Sequence, residues 1–233
     1  RTYMLKNYFK VAVRNLLRYK IYSIVNIVGL ALGISCTILL TLYVQHELSY
    51  DTYYPEAENI YRLEASFRMS GQEFNVATIP PAVAQIAIDE IPEVEKSVRF
   101  RTRGSRIFKY DEKSFNEASI AFVDNSVIEF FAIDIVNGDK INPLVEPNTI
   151  ILNEKSANKY FGNKNPVGEL LIVSNDESYK VTGVYKEIPS NTHFNFDFMI
   201  SMPSLNESKQ TSWLSNNFQT YFVFHLLHHQ LLH

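Results

Sequence analysis

Histidine is the residue type in this sequence whose spacing most directly suggests chemistry. Four of the six histidines lie close to the C-terminus, at His225, His228, His229 and His233. On a helix, the pairs 225/229 and 229/233 would lie one turn apart, and such pairs can bind a divalent metal ion. The segment 225–233 contains no acidic residue and differs in composition from the rest of the chain. We therefore favour an atypical, dispensable His/Leu tail over a metal site.

The other reactive residue types do not form a recognisable catalytic motif. The sequence has no G-x-x-x-x-G-K-[ST] loop for a nucleotide phosphate and no G-x-S-x-G nucleophile elbow. The glycines within 162–168 are better explained by a turn that ends a helix, and His193 by another turn. His46, Glu47 and Asp51 are better explained as polar residues at the point where a helix leaves a membrane. We predict no catalytic residue, no cofactor and no metal ion.

A long apolar segment must position everything that follows it. No charged side chain occurs from Ile21 to Val44. At about 1.5 Å per residue, a helix of this length can cross a hydrocarbon core of about 30 Å. A cleaved signal peptide, the alternative, would have an apolar region of about 7–15 residues and a small-x-small cleavage site. No such site follows Val44, so residues 21–44 are predicted to form a retained transmembrane helix.

Charge is distributed unequally on the two sides of this segment. Residues 1–44 contain six basic residues and no acidic one, whereas residues 45–233 contain 16 basic and 25 acidic residues, a net charge of −9. Because basic flanks stay in the cytoplasm, we predict that the N-terminus lies on the cytoplasmic side of the cell inner membrane and that residues 45 onward are exported. An acidic domain is a poor partner for nucleic acid. The only cysteine, Cys36, lies in the span, so no intramolecular disulfide can form.

Residues 1–20 have the pattern of a helix that rests on a membrane surface. Four basic side chains recur every four positions, at Lys6, Lys10, Arg14 and Arg18, while Phe9, Val13, Leu16 and Leu17 lie away from that stripe. We predict a cytoplasmic amphipathic helix that binds membrane lipid, with its basic face toward anionic headgroups. A basic flank that is merely solvated is the alternative.

Within the span, small residues recur on one side of the helix. Gly29 and Gly33 form a G-x-x-x-G pair, and Thr37 continues the same row. Such a row lets a second helix backbone approach closely, which favours packing between helices in lipid. Gly29, Gly33 and Thr37 are therefore our helix-packing candidates, although the same glycines could also face lipid.

Beyond the span, alternating and helical patterns predict a domain of the α+β class over residues 45–224. Strands are predicted at 60–67, 74–79, 94–103, 120–123, 133–136, 149–152, 170–173, 179–188 and 194–201, with a hairpin region at 104–113 and helices at 83–91, 125–131 and 153–161. Asn125 and Asn153 are predicted to cap helices, and Gly162 to end one. The clearest strand is 194–201, because large apolar residues alternate there with smaller or more polar ones.

The order of these motifs resembles that of FtsX-like, MacB-type ABC transporter permeases. The matching segments run from Met4 to Val223 and include Asn15-Leu-Leu-Arg-Tyr-Lys20, Ile24-Val-Asn-Ile-Val-Gly-Leu-Ala-Leu-Gly33, Glu47-Leu-Ser-Tyr-Asp51, Ile60-Tyr-Arg62, Ile91-Pro-Glu-Val-Glu95, Phe130-Phe131, Asn137-Gly-Asp139, Ala157-Asn-Lys-Tyr-Phe-Gly162, Asn165-Pro-Val-Gly168, Val181-Thr-Gly-Val184, Ile188-Pro189 and His193-Phe194. The resemblance implies one transmembrane helix followed by a mixed α/β periplasmic core domain of two small subdomains, one inserted in the other.

The resemblance also implies partners and a non-catalytic role. Permeases of this type form dimers of like or unlike copies and bind a separate ABC ATPase, whose cycle they pass to the periplasmic side for export or extrusion of a substrate. Periplasmic or outer-membrane components are further candidate partners. A working permease has at least three more membrane helices, and none follows Val223 in this sequence, so we expect a fragment or a truncated product.

Two other classes of function remain open at this point. A single-pass, membrane-anchored sensor or adaptor would need no ATPase. An FtsX-like regulator would use the exported domain to control a cell-wall hydrolase.

Overall fold

The computed structural model describes residues 2–49, 54, 59–174, 177–189, 192, 194–213 and 215–225. The chain divides into two compact units, Arg1–Tyr50 and Asp51–His233. Each unit has its own architecture.

The first unit consists of two helices, α1 (Thr2–Arg18) and α2 (Lys20–Leu48). Tyr19 separates them, with backbone angles φ −108° and ψ 56° that are not helical. The predicted 21–44 span lies within α2, which is long and apolar enough to cross a membrane and has no buried residue. The helix is therefore a candidate membrane span whose apolar side chains have no protein cover among the described residues.

The second unit is a sheet-rich α+β domain. Its strands are β1 (Ile60–Arg62), β2 (Ala65–Met69), β3 (Gln72–Val76), β4 (Val94–Thr102), β5 (Arg106–Tyr110), β6 (Lys113–Glu117), β7 (Ile120–Val123), β8 (Ile135–Gly138), β9 (Thr149–Asn153), β10 (Leu170–Val173), β11 (Glu177–Tyr185), β12 (Phe198–Ser201) and β13 (Gln219–Phe224). Its α-helices are α3 (Val83–Glu90), α4 (Val127–Phe130) and α5 (Glu154–Phe161), and two 3-10 turns follow β12 at Met202–Ser204 and Asn206–Lys209.

Eleven of these strands form one mixed sheet. The strand order is β1-β13-β4-β7-β12-β9-β11-β10-β5-β6, and β8 pairs with β11. Two pairs are parallel, β12 with β7 and β11 with β9, while the remaining pairs are antiparallel. The hairpin β2–β3 forms a separate two-stranded sheet. Residues 51–233 are one compact unit, so a division into two subdomains would lie within this continuous sheet.

The core occupies both faces of the central strands. One apolar cluster contains Phe108, Tyr160 and Phe198, and the other contains Phe100, Phe131 and other aromatic residues. Strand β12 shows how the faces are filled, because Phe198 belongs to the first cluster and Met199 to the second. A strand that is buried on both faces has no solvent-exposed side, so its sequence does not alternate between apolar and polar residues.

Several predicted elements are confirmed. Asn153 caps α5 by accepting a hydrogen bond from the Ser156 amide at 2.8 Å, and Gly162 ends that helix with a positive φ of 60°. The helix predicted at 83–91 is present as α3, and Pro92 follows it.

Other predictions were wrong in detail. The 60–67 strand is divided between β1 and β2, and the 194–201 strand begins only at Phe198. Asn125 does not cap α4, because its side chain bonds instead to the backbone of Ile141 and Leu144. Strand β13 was not predicted at all, although it lies between β1 and β4 in the sheet.

Candidate functional site

The glycine row of α2 leaves room for added side chains among the described residues. A Cβ atom added at Gly29 or Gly33 would meet no atom within 4 Å apart from the neighbouring backbone of its own helix. The Thr37 hydroxyl donates to the carbonyl of Gly33 at 2.9 Å, and the Thr41 hydroxyl donates to the carbonyl of Thr37 at 2.8 Å. Both hydroxyls thus have a partner inside their own helix, so a second helix could approach without leaving a polar group unpaired. The packing role of Gly29, Gly33 and Thr37 remains a prediction.

The described residues contain no group of three or more His, Cys, Asp and Glu residues arranged to hold a metal ion. His225 continues the chain beyond β13, where its amide donates to the carbonyl of Glu93 at 2.8 Å and its imidazole lies 3.7 Å from the Glu95 carboxylate. His193 and the tail residues 226–233 lie outside the described residues.

Arg99 on β4 holds four separate segments together. Its guanidinium makes two hydrogen bonds of 2.8 Å to the carboxylate of Asp124, which follows β7, and donates to the carbonyls of Pro81 before α3 and Ser208 after β12. Burial alone would lower the pKa of Arg99, but the hydrogen bonds and the charge of Asp124 raise it above its usual range. The side chains are only 20% and 23% exposed, so this is a charge pair largely shielded from water.

Glu207 is the centre of a second cluster, which also involves residues of β4 and the segment after it. Its carboxylate accepts from Arg101 at 3.4 Å, from Arg103 at 2.8 Å and from the Asn217 amide at 2.7 Å. Burial would raise its pKa, but the hydrogen bonds from Arg103 and Asn217 and the charge of Arg101 lower it below 4.5. Alternate residues of β4 and its continuation therefore bind the 3-10 segment that precedes β13.

A third cluster attaches α5 to the end of β6. The Glu117 carboxylate accepts from the Lys159 ammonium at 2.6 Å and from the Tyr160 hydroxyl at 2.7 Å. Burial, together with the hydrogen bond and the charge of Glu117, raises the pKa of Tyr160 above its usual range. The hydroxyl therefore stays protonated and donates its hydrogen bond, which is a structural role.

Three of the sequence motifs meet beside β11. The side-chain amide of Asn137 donates to the side-chain oxygen of Asn165 at 2.9 Å. The backbone amide of Asp139 donates to the carbonyl of Thr182 at 3.0 Å. Gly138 lies opposite Gly183, and a Cβ atom on Gly138 would come within 2.3 Å of the Thr182 carbonyl oxygen. The backbone segments thus approach closely where three motifs meet: Asn137-Gly-Asp139, Asn165-Pro-Val-Gly168 and Val181-Thr-Gly-Val184.

The clusters around Arg99, Glu207 and Glu117 pair carboxylates with cations or hydroxyls and join segments far apart in sequence. The alternation Arg99, Arg101, Arg103 along one predicted strand was the signal that could have indicated the first two clusters. Their acidic partners could not be identified, because Asp124 and Glu207 are brought near only by the fold.

Comparison with known proteins gives matches to the same kind of domain. The family model of the MacB-like periplasmic core domain matches residues 23–226. A domain described as that of a permease protein from Porphyromonas gingivalis has a TM-score of 0.67 at 19% identity, over 74% of this chain and 75% of that one. The periplasmic region of MacB from Actinobacillus actinomycetemcomitans has a TM-score of 0.54 at 14% identity, over 78% and 82%. No curated protein matches the chain.

Proposed function

Because the chain belongs to the family of the MacB-like periplasmic core domain, we propose that it acts as a permease subunit of an ATP-driven ABC transporter. A permease- or transporter-associated role is what this family membership supports. The finer proposal is that the chain relays the cycle of a separate ATPase to the exported domain, for export or extrusion of a substrate. The observation that carries it is the extent of the match, which begins inside the apolar helix α2 and ends just after β13.

The internal contacts of the exported domain support a mechanical role. The guanidinium of Arg99 connects β4 to segments near residues 81, 124 and 208, so displacement of one segment would be passed to the others. Proteins transmit coupling through such packed and hydrogen-bonded networks. The family is in general non-catalytic, so ATP hydrolysis is assigned to the partner.

The same proposal places the chain in the cell inner membrane with its N-terminus in the cytoplasm. The basic residues of α1 would contact anionic lipid headgroups, and α2 would cross the bilayer. The acidic domain would then lie in the periplasm, where the ATPase cannot reach it directly. Movement of α2 would connect the two sides.

Within this scheme, α2 packs through Gly29 and Gly33 against a neighbouring helix, such as that of a second permease copy. The test replaces both glycines by leucine in the full-length protein, because two added side chains would hold the backbones apart. The matched control is the pair Ala31→Leu and Ser35→Leu, which adds similar bulk about 200° around the helix. We expect the glycine variant, but not the control, to lose pairing of differently tagged copies.

The ATPase is tested in the same preparation. Affinity purification of the full-length protein from its native membranes should recover a nucleotide-hydrolysing subunit, and the glycine variant should uncouple hydrolysis from export. Recovery of a correctly inserted protein with no ATPase would contradict the proposal and would favour an anchored sensor or a regulator of a cell-wall hydrolase. Normal pairing and export in the glycine variant would show that Gly29 and Gly33 face lipid.

A further inference from the structure

The end of the large sheet that is formed by β11, β10, β5 and β6 is covered on one face. Five side chains of β5, β10 and β11 lie in the same apolar cluster as residues of α5, namely Phe108, Leu171, Val173, Tyr179 and Val181. Successive side chains of a strand point to opposite faces of the sheet. The residues between these five therefore lie on the other face, away from α5.

This other face carries both aliphatic and basic side chains. Ile107, Leu170 and Ile172 are 46%, 56% and 40% exposed, and Lys109 and Lys180 are exposed as well. These five residues are here named the bare sheet face. The strand register brings them together, because Leu170 lies opposite Lys180 and Ile172 lies opposite Lys109. In an antiparallel sheet, a face that is turned only to water normally carries polar residues, so the aliphatic positions indicate a contact.

The two lysines of the bare sheet face are not neutralised from within. In the part of the chain that the structure describes, neither Lys109 nor Lys180 has an ion-pair partner. The adjacent positions on the same face of β6 and β11 are the uncharged residues Ser114, Asn116 and Ser178. The face is therefore locally positive, although residues 45–233 as a whole carry a net charge of −9.

A groove borders the bare sheet face. It has a volume of about 450 Å³ and is lined by Leu170 and Lys180 on the sheet side and by the loop 139–149 on the other side. Two acidic residues of that loop, Asp139 and Glu146, also line the groove. The surface is thus concave at this border and changes there from basic to acidic.

We propose that the bare sheet face binds an amphipathic helix of a partner protein. A sheet buries its apolar face against another layer of structure, and helices dock through an apolar stripe. Lys109 and Lys180 lie two strands and two residues apart, which corresponds to about 12 Å between their Cα atoms. Residues seven apart on one side of a helix are separated by about 10.5 Å. The partner helix should therefore carry two carboxylates about seven residues apart, with aliphatic side chains between them that contact Leu170 and Ile172.

Charge and shape favour this occupant over two others. A second copy would bring its own Lys109 and Lys180 to a two-fold contact, and its bare sheet face has no acidic residue to receive them. A planar bilayer could pair its phosphate groups with the lysines but would leave the groove empty, and Asp139 and Glu146 would repel anionic headgroups. The proposal concerns the sheet-rich domain alone and goes beyond the ATPase-driven role proposed above.

Exchange of charges between the protein and a synthetic peptide tests the proposal. The probe is a fluorescent, alanine-rich helical peptide with two glutamates about seven residues apart and leucines three and four positions after the first glutamate. By fluorescence anisotropy, the full-length protein in detergent should bind this peptide several-fold more tightly than the same peptide with lysines in place of the glutamates. The variant Lys109→Glu/Lys180→Glu should reverse the preference. The basic residues of α1 are the same in both proteins, so they cannot cause the reversal.

Two further variants separate this contact from general effects of charge and folding. Lys155→Glu/Lys186→Glu makes the same change in net charge at two exposed lysines outside the bare sheet face, so it should keep the preference for the glutamate peptide. Ile172→Thr keeps a β-branched side chain in the strand but removes an aliphatic contact. It should weaken binding of the glutamate peptide several-fold, with a melting temperature close to that of the unchanged protein.

The remaining outcomes contradict the proposal. No binding, or equal affinity for the two peptides, would show that the bare sheet face does not recognise carboxylates on a helix. Without a peptide preference, binding to phosphatidylglycerol vesicles that is lost in Lys109→Glu/Lys180→Glu would assign the face to lipid. Loss of pairing between differently tagged copies in that variant, again without a peptide preference, would assign it to a second copy. Recovery of an ATPase is measured separately, so failure here leaves the proposed function intact.

Discussion

At the scale of single residues, a few charged side chains of the sheet-rich domain join segments that are distant in the sequence. Arg99 is the clearest, because its guanidinium reaches Asp124, Pro81 and Ser208 at once. Arg62 offers a contrast, since its ion pair with Glu64 is local, the two side chains are 40% and 51% exposed, and its one distant partner is the neutral Tyr221. The two arginines should therefore differ in their effect on stability although each makes an ion pair.

Replacement of each arginine by alanine tests this difference. Arg99→Ala leaves the shielded Asp124 carboxylate without its partner and should lower the free energy of unfolding by about 2–3 kcal/mol. Arg62→Ala removes an exposed ion pair and one hydrogen bond with Tyr221 and should cost only about 1 kcal/mol. Urea denaturation of the fragment 45–225 measures both. Equal losses would mean that Arg99 does not hold the segments together.

Glu207 should contribute to the dependence of the domain's stability on acid pH. Its pKa is lowered in the folded state, because the hydrogen bonds from Arg103, Asn217 and Arg101 and the charge of Arg101 outweigh burial. A carboxylate whose pKa is lowered by folding contributes stability at pH values above its usual pKa of about 4.5. That contribution is lost as the pH falls through the pKa of the folded state. In the Glu207→Gln variant, the free energy of unfolding should be lower at pH 7 and should decrease less between about pH 4.5 and pH 3. An unchanged acid dependence would exclude Glu207 as a contributor.

At the scale of secondary structure elements, the close pairing of β8 with β11 requires glycine at position 138. Gly138 has a φ of 101°, and its missing side chain leaves space for the Thr182 carbonyl. Gly104 also has a positive φ, of 61°, but apart from its chain neighbours no atom lies within 4 Å of the position that its Cβ would take. A side chain at position 104 would therefore add backbone strain only, whereas one at position 138 would add both strain and a steric clash.

Alanine substitutions at these glycines should have unequal effects. Gly104→Ala adds strain alone and should cost about 1 kcal/mol. Gly138→Ala adds a clash with the backbone of β11 and should cost at least about 2 kcal/mol more, or prevent folding. Thermal unfolding of the two variants of fragment 45–225 measures the difference. Similar melting temperatures would show that β8 can move away from β11 without loss.

Local elements were predictable from the sequence, whereas long-range ones were not. Asn153 and Gly162 were identified correctly, because a helix cap and a helix end depend on residues within one turn. Asn125 has the same residue type as Asn153, but loop residues near 141–144 compete for its side chain. Strand β13 pairs with β4 across more than a hundred residues and is mostly buried, so it shows no polar side that alternation could reveal.

At the scale of the whole molecule, the chain combines a candidate membrane span with a sheet-rich domain of the MacB-like periplasmic family. The apolar length of α2 and the motifs that follow it were sufficient to predict the fold class and the family. The candidate packing residues Gly29, Gly33 and Thr37 were also visible in the sequence, because a four-residue row lies on one side of any helix. The partner of that row could not be predicted, since a single chain contains only half of such a contact.

The central claim is that α2 carries the MacB-like domain across the membrane while the N-terminus stays in the cytoplasm. Reporter fusions test it directly. Alkaline phosphatase, which is active only after export, should be active when fused after Ser66 and inactive when fused after Lys20, and a cytoplasmic fluorescent reporter should show the opposite pattern. An inactive phosphatase and an active cytoplasmic reporter after Ser66 would contradict the orientation and, with it, the relay from a cytoplasmic ATPase to an exported domain.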